Sequence, residues 1–276
     1  MIRGRSTIGL ACRRPSGEIY RYREPLRSVL QRSRSARAPF VRGLVVLWES
    51  LTYGTRMLMR SADVQLERGE ESSGGGNAVM MTVAVVVALV VFLGIPYAAT
   101  QALRSLIEST LLLNVAEGLL RLFLFLGYLG LISLAPEIRR VFAYHGAEHM
   151  TIHAFEHGDP LTPDRIEPYP TAHPRCGTAF LLFVVVVAIA LFAFVPRTSF
   201  VVDLAARLLL VIPVASISYE VLKFGAAHER NPFMRALVSP GLLLQRMTTR
   251  RPDRGMIEVA VASLEEALAG DREAAA

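Results

Sequence analysis

Between Tyr144 and Gly177 the chain reads Y-H-G-A-E-H-M-T-I-H-A-F-E-H-G and then, after a polar stretch, H-P-R-C-G. Five of the protein's six histidines and one of its two cysteines fall there. His145, His149, His153 and His157 recur every fourth residue, so on a helix they stack as one slowly drifting stripe, flanked by Glu148 and Glu156. Imidazole and carboxylate heads one turn apart can grip a single cation. The string from His145 to His149 is an H-x-x-E-H arrangement, in which two histidines hold zinc and the glutamate activates water. Glu148 is therefore the candidate general base. His145 and His149 are the first candidate ligands of a divalent metal, zinc foremost. Such a site needs a third ligand. Glu220, 71 residues beyond His149, offers one, and His153, one turn along the stripe, offers another. His173 and Cys176 lie three apart in a proline-bounded turn, where a short loop can aim both heads at one ion. All these groups together exceed one ion's needs, so some would orient the ligands or serve a second metal. Cys176 also admits a nucleophilic role with His173 as its base, and a plain one as a small buried residue at a helix start.

The rest of the chain predicts a membrane scaffold for this stretch. Just over half of the 276 residues are hydrophobic, and they are segregated into blocks. Runs 79–98, 119–135, 178–195 and 204–222 are each near the ~20 apolar residues that cross a bilayer core. Glu117 with Arg121, and Asp203 with Arg207, are spaced to form local pairs at the rims of two of these spans. Segment 104–118 is placed at the outer interface. Fourteen arginines precede the first run, four lie in 136–176, and seven plus Lys223 follow the last. Both termini and the histidine segment are thus expected to face the cytoplasm. The net charge of +6 is almost all arginine, spread out and not interleaved with aromatics, so no nucleic-acid partner is expected. The spans hold few polar residues at mid-depth, which argues against a transport pathway.

Outside the spans, runs 7–12 and 18–22 flank Pro15-Ser16-Gly17 and predict a hairpin, which must pack on something else to be stable. Residues 39–62 predict an amphipathic helix with Phe40, Leu44, Leu47, Trp48, Leu51 and Leu58 on one side, facing either a core or the cytoplasmic headgroups. Segment 67–77, with Ser72-Ser73-Gly74-Gly75-Gly76, reads as a flexible linker. The tail carries Pro240-Gly241, turns at 248–253, and ends in a helix with Ile257, Val261, Leu264 and Leu268 on one face, expected to pack on the N-terminal hairpin. Cys12 and Cys176 suggest no disulfide framework, and no signal-peptide pattern follows the arginine-rich start. The fold expected is mainly α: a polytopic membrane protein of four transmembrane helices with a small cytoplasmic α+β unit from the hairpin and the C-terminal helix. Its segments are 1–66, the linker 67–77, spans one and two in 78–135, the histidine segment 136–177, spans three and four in 178–222, and the tail 223–276.

Y-H-G-A-E-H-x-T-I-H-A-F-E at 144–156, H-P-R-C-G-T at 173–178, S-Y-E at 218–220 and Met247-Thr248-Thr249-Arg250-Arg251-Pro252-Asp253 carry a likeness that extends to Pro39-Phe40-Val41-Arg42-Gly43 and Trp48-Glu49-Ser50-Leu51. With these, nearly the whole chain resembles the YqhQ-like family of bacterial multipass membrane proteins. The resemblance implies a domain of unknown function that has been suggested to be a metal-dependent enzyme. It also implies a glycine-rich segment ahead of Met1, and it leaves His157 outside the family's pattern. Two functions fit. One is a membrane-embedded metal-dependent enzyme, a hydrolase on the H-x-x-E-H reading. The other is a non-catalytic scaffold or assembly factor in the bilayer, with a membrane-protein partner such as the protein-insertion machinery.

Overall fold

A strand with one wet face alternates apolar and polar residues, and Thr7-Ile8-Gly9-Leu10-Ala11-Cys12 does not. The computed structural model, which describes residues 1–66, 74–174, 176–228 and 231–275, gives the reason. β1 (Ile2–Arg3), β2 (Thr7–Arg13) and β3 (Ile19–Pro25) form an antiparallel sheet in that order, with Ile2 opposite Gly9 and Leu10 opposite Tyr22. The helices are α1 (Val29–Arg32), α2 (Val41–Gln65), α3 (Gly74–Leu89), α4 (Ile95–Ala102), α5 (Thr110–Ile132), α6 (Pro136–His157), α7 (Pro163–Ile166), α8 (Thr178–Phe192), α9 (Phe200–Ala227), α10 (Pro232–Thr248) and α11 (Arg254–Glu273). The chain divides into two units. The first takes Met1–Ser72, Ser133–Cys176 and Gln245–Ala276, and the second takes Ser73–Ile132 and Gly177–Leu244.

In the first unit β2 is the middle strand and is covered on both sides. Ile8, Leu10 and Cys12 pack against Met57 of α2. Ala11 packs against Val259 and Ala262 of α11. At Gly9 the α11 backbone comes so close that a Cβ would strike the Ser263 carbonyl, while the Ser263 hydroxyl donates to the Gly9 carbonyl at 2.9 Å. The other side of α11 receives α6, through Ala147, Met150 and Ala154 against Ile257 and Ala260. Small residues at these positions let helix, sheet and helix stack closely enough to seat the histidine helix.

Glu49 fixes the orientation of α2. It is buried and accepts from Arg3 Nη2 at 2.8 Å, Ser28 Oγ at 2.9 Å and the Val29 amide at 2.8 Å. Hydrogen bonds to a charged group are each worth about 1.5–3 kcal/mol net. This anchor turns the expected apolar side of the helix outward: Trp48 is 71% exposed, Leu51 60% and Leu58 65%. That side therefore does not face a core. The expected linker lies at 67–73 outside the described residues, and Gly74 to Asn77 form the first turn of α3 instead.

Among the described residues, the second unit has three helical stretches long and apolar enough to cross a membrane: Val79–Ala102, Thr110–Ile132 and Phe200–Gly225. The third apolar run forms α8, a helix of 15 residues, short of the ~20 that span a bilayer core. The sequence counted four spans, and the structure gives three plus this shorter helix. Pro240-Gly241 does not interrupt the tail but lies inside α10.

The second of these stretches begins at Thr110, so Glu117 and Arg121 fall within it and not at its rim. They are tolerated there because their charges are met. Glu117 accepts from Arg121 Nη2 at 2.8 Å, Arg197 Nη2 at 2.7 Å, and Arg207 Nε and Nη2 at 2.9 Å each. The expected Asp203–Arg207 side-chain pair is not formed. Arg207 turns to Glu117 and keeps only the Asp203 backbone carbonyl, while the Asp203 carboxylate takes the Tyr97 hydroxyl at 2.6 Å and the Thr198 amide at 2.8 Å. Pro96 has no N–H for the carbonyl one turn back, and Arg121 Nε donates to that carbonyl, of Phe92, at 2.7 Å.

Candidate metal centre

Pro136 opens α6 at a position where a missing N–H costs nothing, and Gly158, left-handed at φ 76°, closes it just past His157. Between them His145 and His149 project from successive turns, their ring centroids 4.3 Å apart. His145 Nδ1 lies 2.9 Å from the Thr248 carbonyl oxygen, and His149 Nδ1 lies 2.6 Å from that of Thr171. A carbonyl only accepts, so both imidazoles carry their proton on Nδ1 and keep the Nε2 lone pair. Backbone carbonyls on the far ring nitrogen are how metal-binding histidines are held.

The third donor that converges on this pair is Cys176, whose Sγ is 3.3 Å from His145 Nε2. Ligand atoms of His145, His149 and Cys176 all lie within 4.8 Å of one another. Zinc–nitrogen and zinc–sulfur bonds of about 2.0–2.3 Å put tetrahedral ligand atoms about 3.3–3.8 Å apart, so shifts below about 1 Å would close the set on one ion. Two imidazoles and a thiolate suit zinc or another transition metal and not calcium or magnesium. The donor set fits a divalent transition metal.

The other candidates stand around this core. His153 has its Nε2 2.9 Å from the Ala172 carbonyl, which leaves only Nδ1 for other work, and its ring is 4.6 Å from that of His173. His173 is buried, with Nε2 3.3 Å from a Glu156 oxygen and its ring 5.8 Å from that of His149. Burial and the neighbouring His153 push its pKa down. His157 is exposed and spends Nδ1 on the His153 carbonyl of its own helix. Glu220 is on α9, in the second unit. The imidazole beside the Cys176 thiol is that of His145, not His173. Burial works against a charged His145, but Cys176, the Thr248 carbonyl and Glu148 outweigh it and raise the pKa.

Glu148 and His145 line one wall of an open cavity of about 560 Å³ within the first unit. The sole described ion pair of Glu148 is with the Met1 ammonium, at 3.9 Å.

Residues 38–270 match a family described as a protein of unknown function, DUF1385. The chain belongs to this family. "Uncharacterized protein YqhQ" of Bacillus subtilis is 31% identical over 283 residues, which cover 97% of this chain and 89% of that one. No solved structure matches. The resemblance to YqhQ-like proteins drawn from the motifs is borne out, and the DUF1385 match takes in every member of the His145–His149–Cys176 group.

Sequence reasoning passed over the residues that bring Cys176 to the histidines. Gln245 is fully buried; its Oε1 accepts the His173 amide at 2.8 Å and its Nε2 donates to the His173 carbonyl at 2.9 Å. This two-way clamp sets the loop that carries Thr171 and Cys176. Thr248, whose carbonyl orients His145, belongs to the M-T-T-R-R-P-D string, which signalled family likeness but no role. Gly146 completes the arrangement, because a Cβ there would run into the Arg250 carbonyl. The Arg250 amide in turn donates to the Phe142 carbonyl at 2.9 Å. Gly146→Ala is expected to push the 248–250 segment off α6, loosen His145 and lower metal affinity by about 10–100-fold, the usual effect of losing an orienting partner. Competition with a chromogenic zinc chelator reads that change.

Proposed function

We propose that the protein is a membrane-bound, metal-dependent hydrolase, with His145, His149 and Cys176 as ligands and Glu148 as general base. The observation that carries this reading is the convergence of two Nδ1-anchored imidazoles and one thiol on a single point. Three protein ligands are the number found in catalytic zinc sites, where structural sites close the shell with four. Such a metal, when bound, lowers the pKa of water to about 7 and polarises a carbonyl. The chain's own residues do the rest. The Thr248 and Thr171 carbonyls hold both imidazoles in the ligating tautomer, and Glu148, on the turn between them, takes up and returns the proton at its carboxylate. His153, His173 and Glu156 form a hydrogen-bonded surround that keeps the Thr171–Cys176 loop in place.

The setting proposed is the inner membrane of a bacterium, with α8 as a fourth span, both termini in the cytoplasm and the exposed side of α2 in the cytoplasmic headgroup layer. The arginine distribution and the exposed Trp48, Leu51 and Leu58 support it.

The test is Glu148→Gln. The variant is expected to keep the metal content of the parent, measured by elemental mass spectrometry, while its turnover of activated acyl esters falls about 10²–10⁴-fold, the usual contribution of a general base. Equal metal and equal behaviour of the two proteins, with no turnover by either, would instead support the scaffold reading and a membrane-protein partner.

A further inference from the structure

The cavity beside His145 is a groove with a definite length and chemistry. On α6 its wall runs from Glu137 through Arg140, Val141 and Tyr144 to His145 and Glu148, and on α2 from Gly54 through Met57 and Leu58 to Gln65. Each wall covers 11 residue steps of helix, or about 16 Å at 1.5 Å per residue. Leu10 and Ala11 of β2 and Val259 and Ala260 of α11 form the base between them. Half of a bilayer's hydrocarbon core, the depth of one leaflet's chains, is about 15 Å. The groove therefore matches one acyl chain in length, and its volume falls within the roughly 300–1,000 Å³ of small-molecule sites.

Its chemistry points the same way. Within the polar lining, the Ser263 hydroxyl is spent on the Gly9 carbonyl, Arg13 on the Gly255 carbonyl and Glu258, and Gln65 Nε2 on the Arg13 carbonyl, while Glu137 and Arg140 stand at one end of the α6 wall. A peptide laid here would leave backbone amides without partners, whereas an acyl chain has none to satisfy. Leu58 belongs both to the groove and to the outward apolar side of α2, with Trp48 and Leu51. The surface suited to headgroups is thus continuous with the mouth of the groove.

We infer that the groove seats a single acyl chain of a membrane lipid and presents the lipid's acyl carbonyl at the His145–Glu148 turn. This names the substrate class of the site and rests on the hydrolase reading for the fate of the lipid, though not for its seating. Hydrolysis of such an ester consumes one water. A C–O bond forms at the carbonyl carbon, the bond to the alcohol oxygen breaks, and the products are a fatty carboxylate, the alcohol and one proton.

Gly54 provides the test, because a Cβ at this position meets nothing within 4 Å and a larger side chain enters the groove unopposed. The full chain, in nanodiscs, is exposed to a lysophospholipid bearing a diazirine at its chain end, illuminated and mapped by mass spectrometry, with metal content measured on the same samples. Crosslinks at Met57, Leu58 and Val141 are expected, with their yield reduced roughly tenfold in Gly54→Trp, as about 1.4 kcal/mol of lost affinity gives, and unchanged in Gly54→Ala. Labelling confined to α3, α5 and α9, or a yield equal in parent and Gly54→Trp, would overturn the inference. Groove labelling in a protein without metal would uphold the lipid seat and remove the hydrolase reading alone.

Discussion

Protein purified after His149→Ala is expected to carry less than a tenth of the parent's zinc when both are assayed by elemental mass spectrometry against protein concentration. His149 is one of three converging donors, and a three-ligand shell has no spare. Loss of the imidazole also frees the Thr171 carbonyl that its Nδ1–H satisfies, in a half-buried loop. Cys176→Ser keeps the size but replaces a thiolate with a poor neutral ligand, so it lowers zinc content nearly as far. His157→Ala is the control: that ring is exposed and turned to its own helix, and the zinc content stays at the parental level. A metal held by the folded site would stabilise the folded state, so added zinc is expected to raise the parent's melting temperature and to leave that of His149→Ala unchanged. Equal zinc in parent and His149→Ala would exclude the site.

The two histidines were legible because a four-residue repeat on a helix fixes which heads meet, whatever the tertiary context. The hairpin was likewise legible from its turn signal, whereas the burial of β2 on both faces came only with the structure. Cys176 was one of several candidates, since its approach depends on a loop clamped by Gln245, and a partner 72 positions away leaves no local pattern. The same limit explains the charged residues of the spans. Four-residue spacing correctly paired Glu117 with Arg121, but for Asp203 and Arg207 it named the wrong partner. Arg207 had another carboxylate, on α5, within reach once the helices packed, and it gives Glu117 two hydrogen bonds while keeping one to the Asp203 backbone carbonyl. Local spacing offers a pair, and packing decides whether it forms. Glu49 shows the reverse case, a charge on the expected amphipathic helix whose burial fixed which side of that helix faces out.

Glu117→Gln should be the most damaging single substitution in the second unit. Three guanidinium groups, of Arg121, Arg197 and Arg207, share this one carboxylate, and all four side chains are almost wholly buried. Glutamine has nearly the same shape but no charge, and its NH₂ group would face at least one donor head-on. Three buried cations would then be left beside Asp203 alone, whose oxygens already serve Tyr97 and Thr198. Breaking a buried ion pair by removing one partner costs about 3–5 kcal/mol, and here a single change breaks three. Against total stabilities of about 5–15 kcal/mol, the variant is expected to be recovered at low yield and to melt well over 10 °C below the parent in detergent. If the damage comes from uncompensated positive charge, removing one cation relieves it. Glu117→Gln combined with Arg207→Gln should be more stable than Glu117→Gln alone, a compensating coupling where two independent lesions would show none. Simple additivity of the two losses would mean that shape, not charge, is what Glu117 supplies to the packed helices.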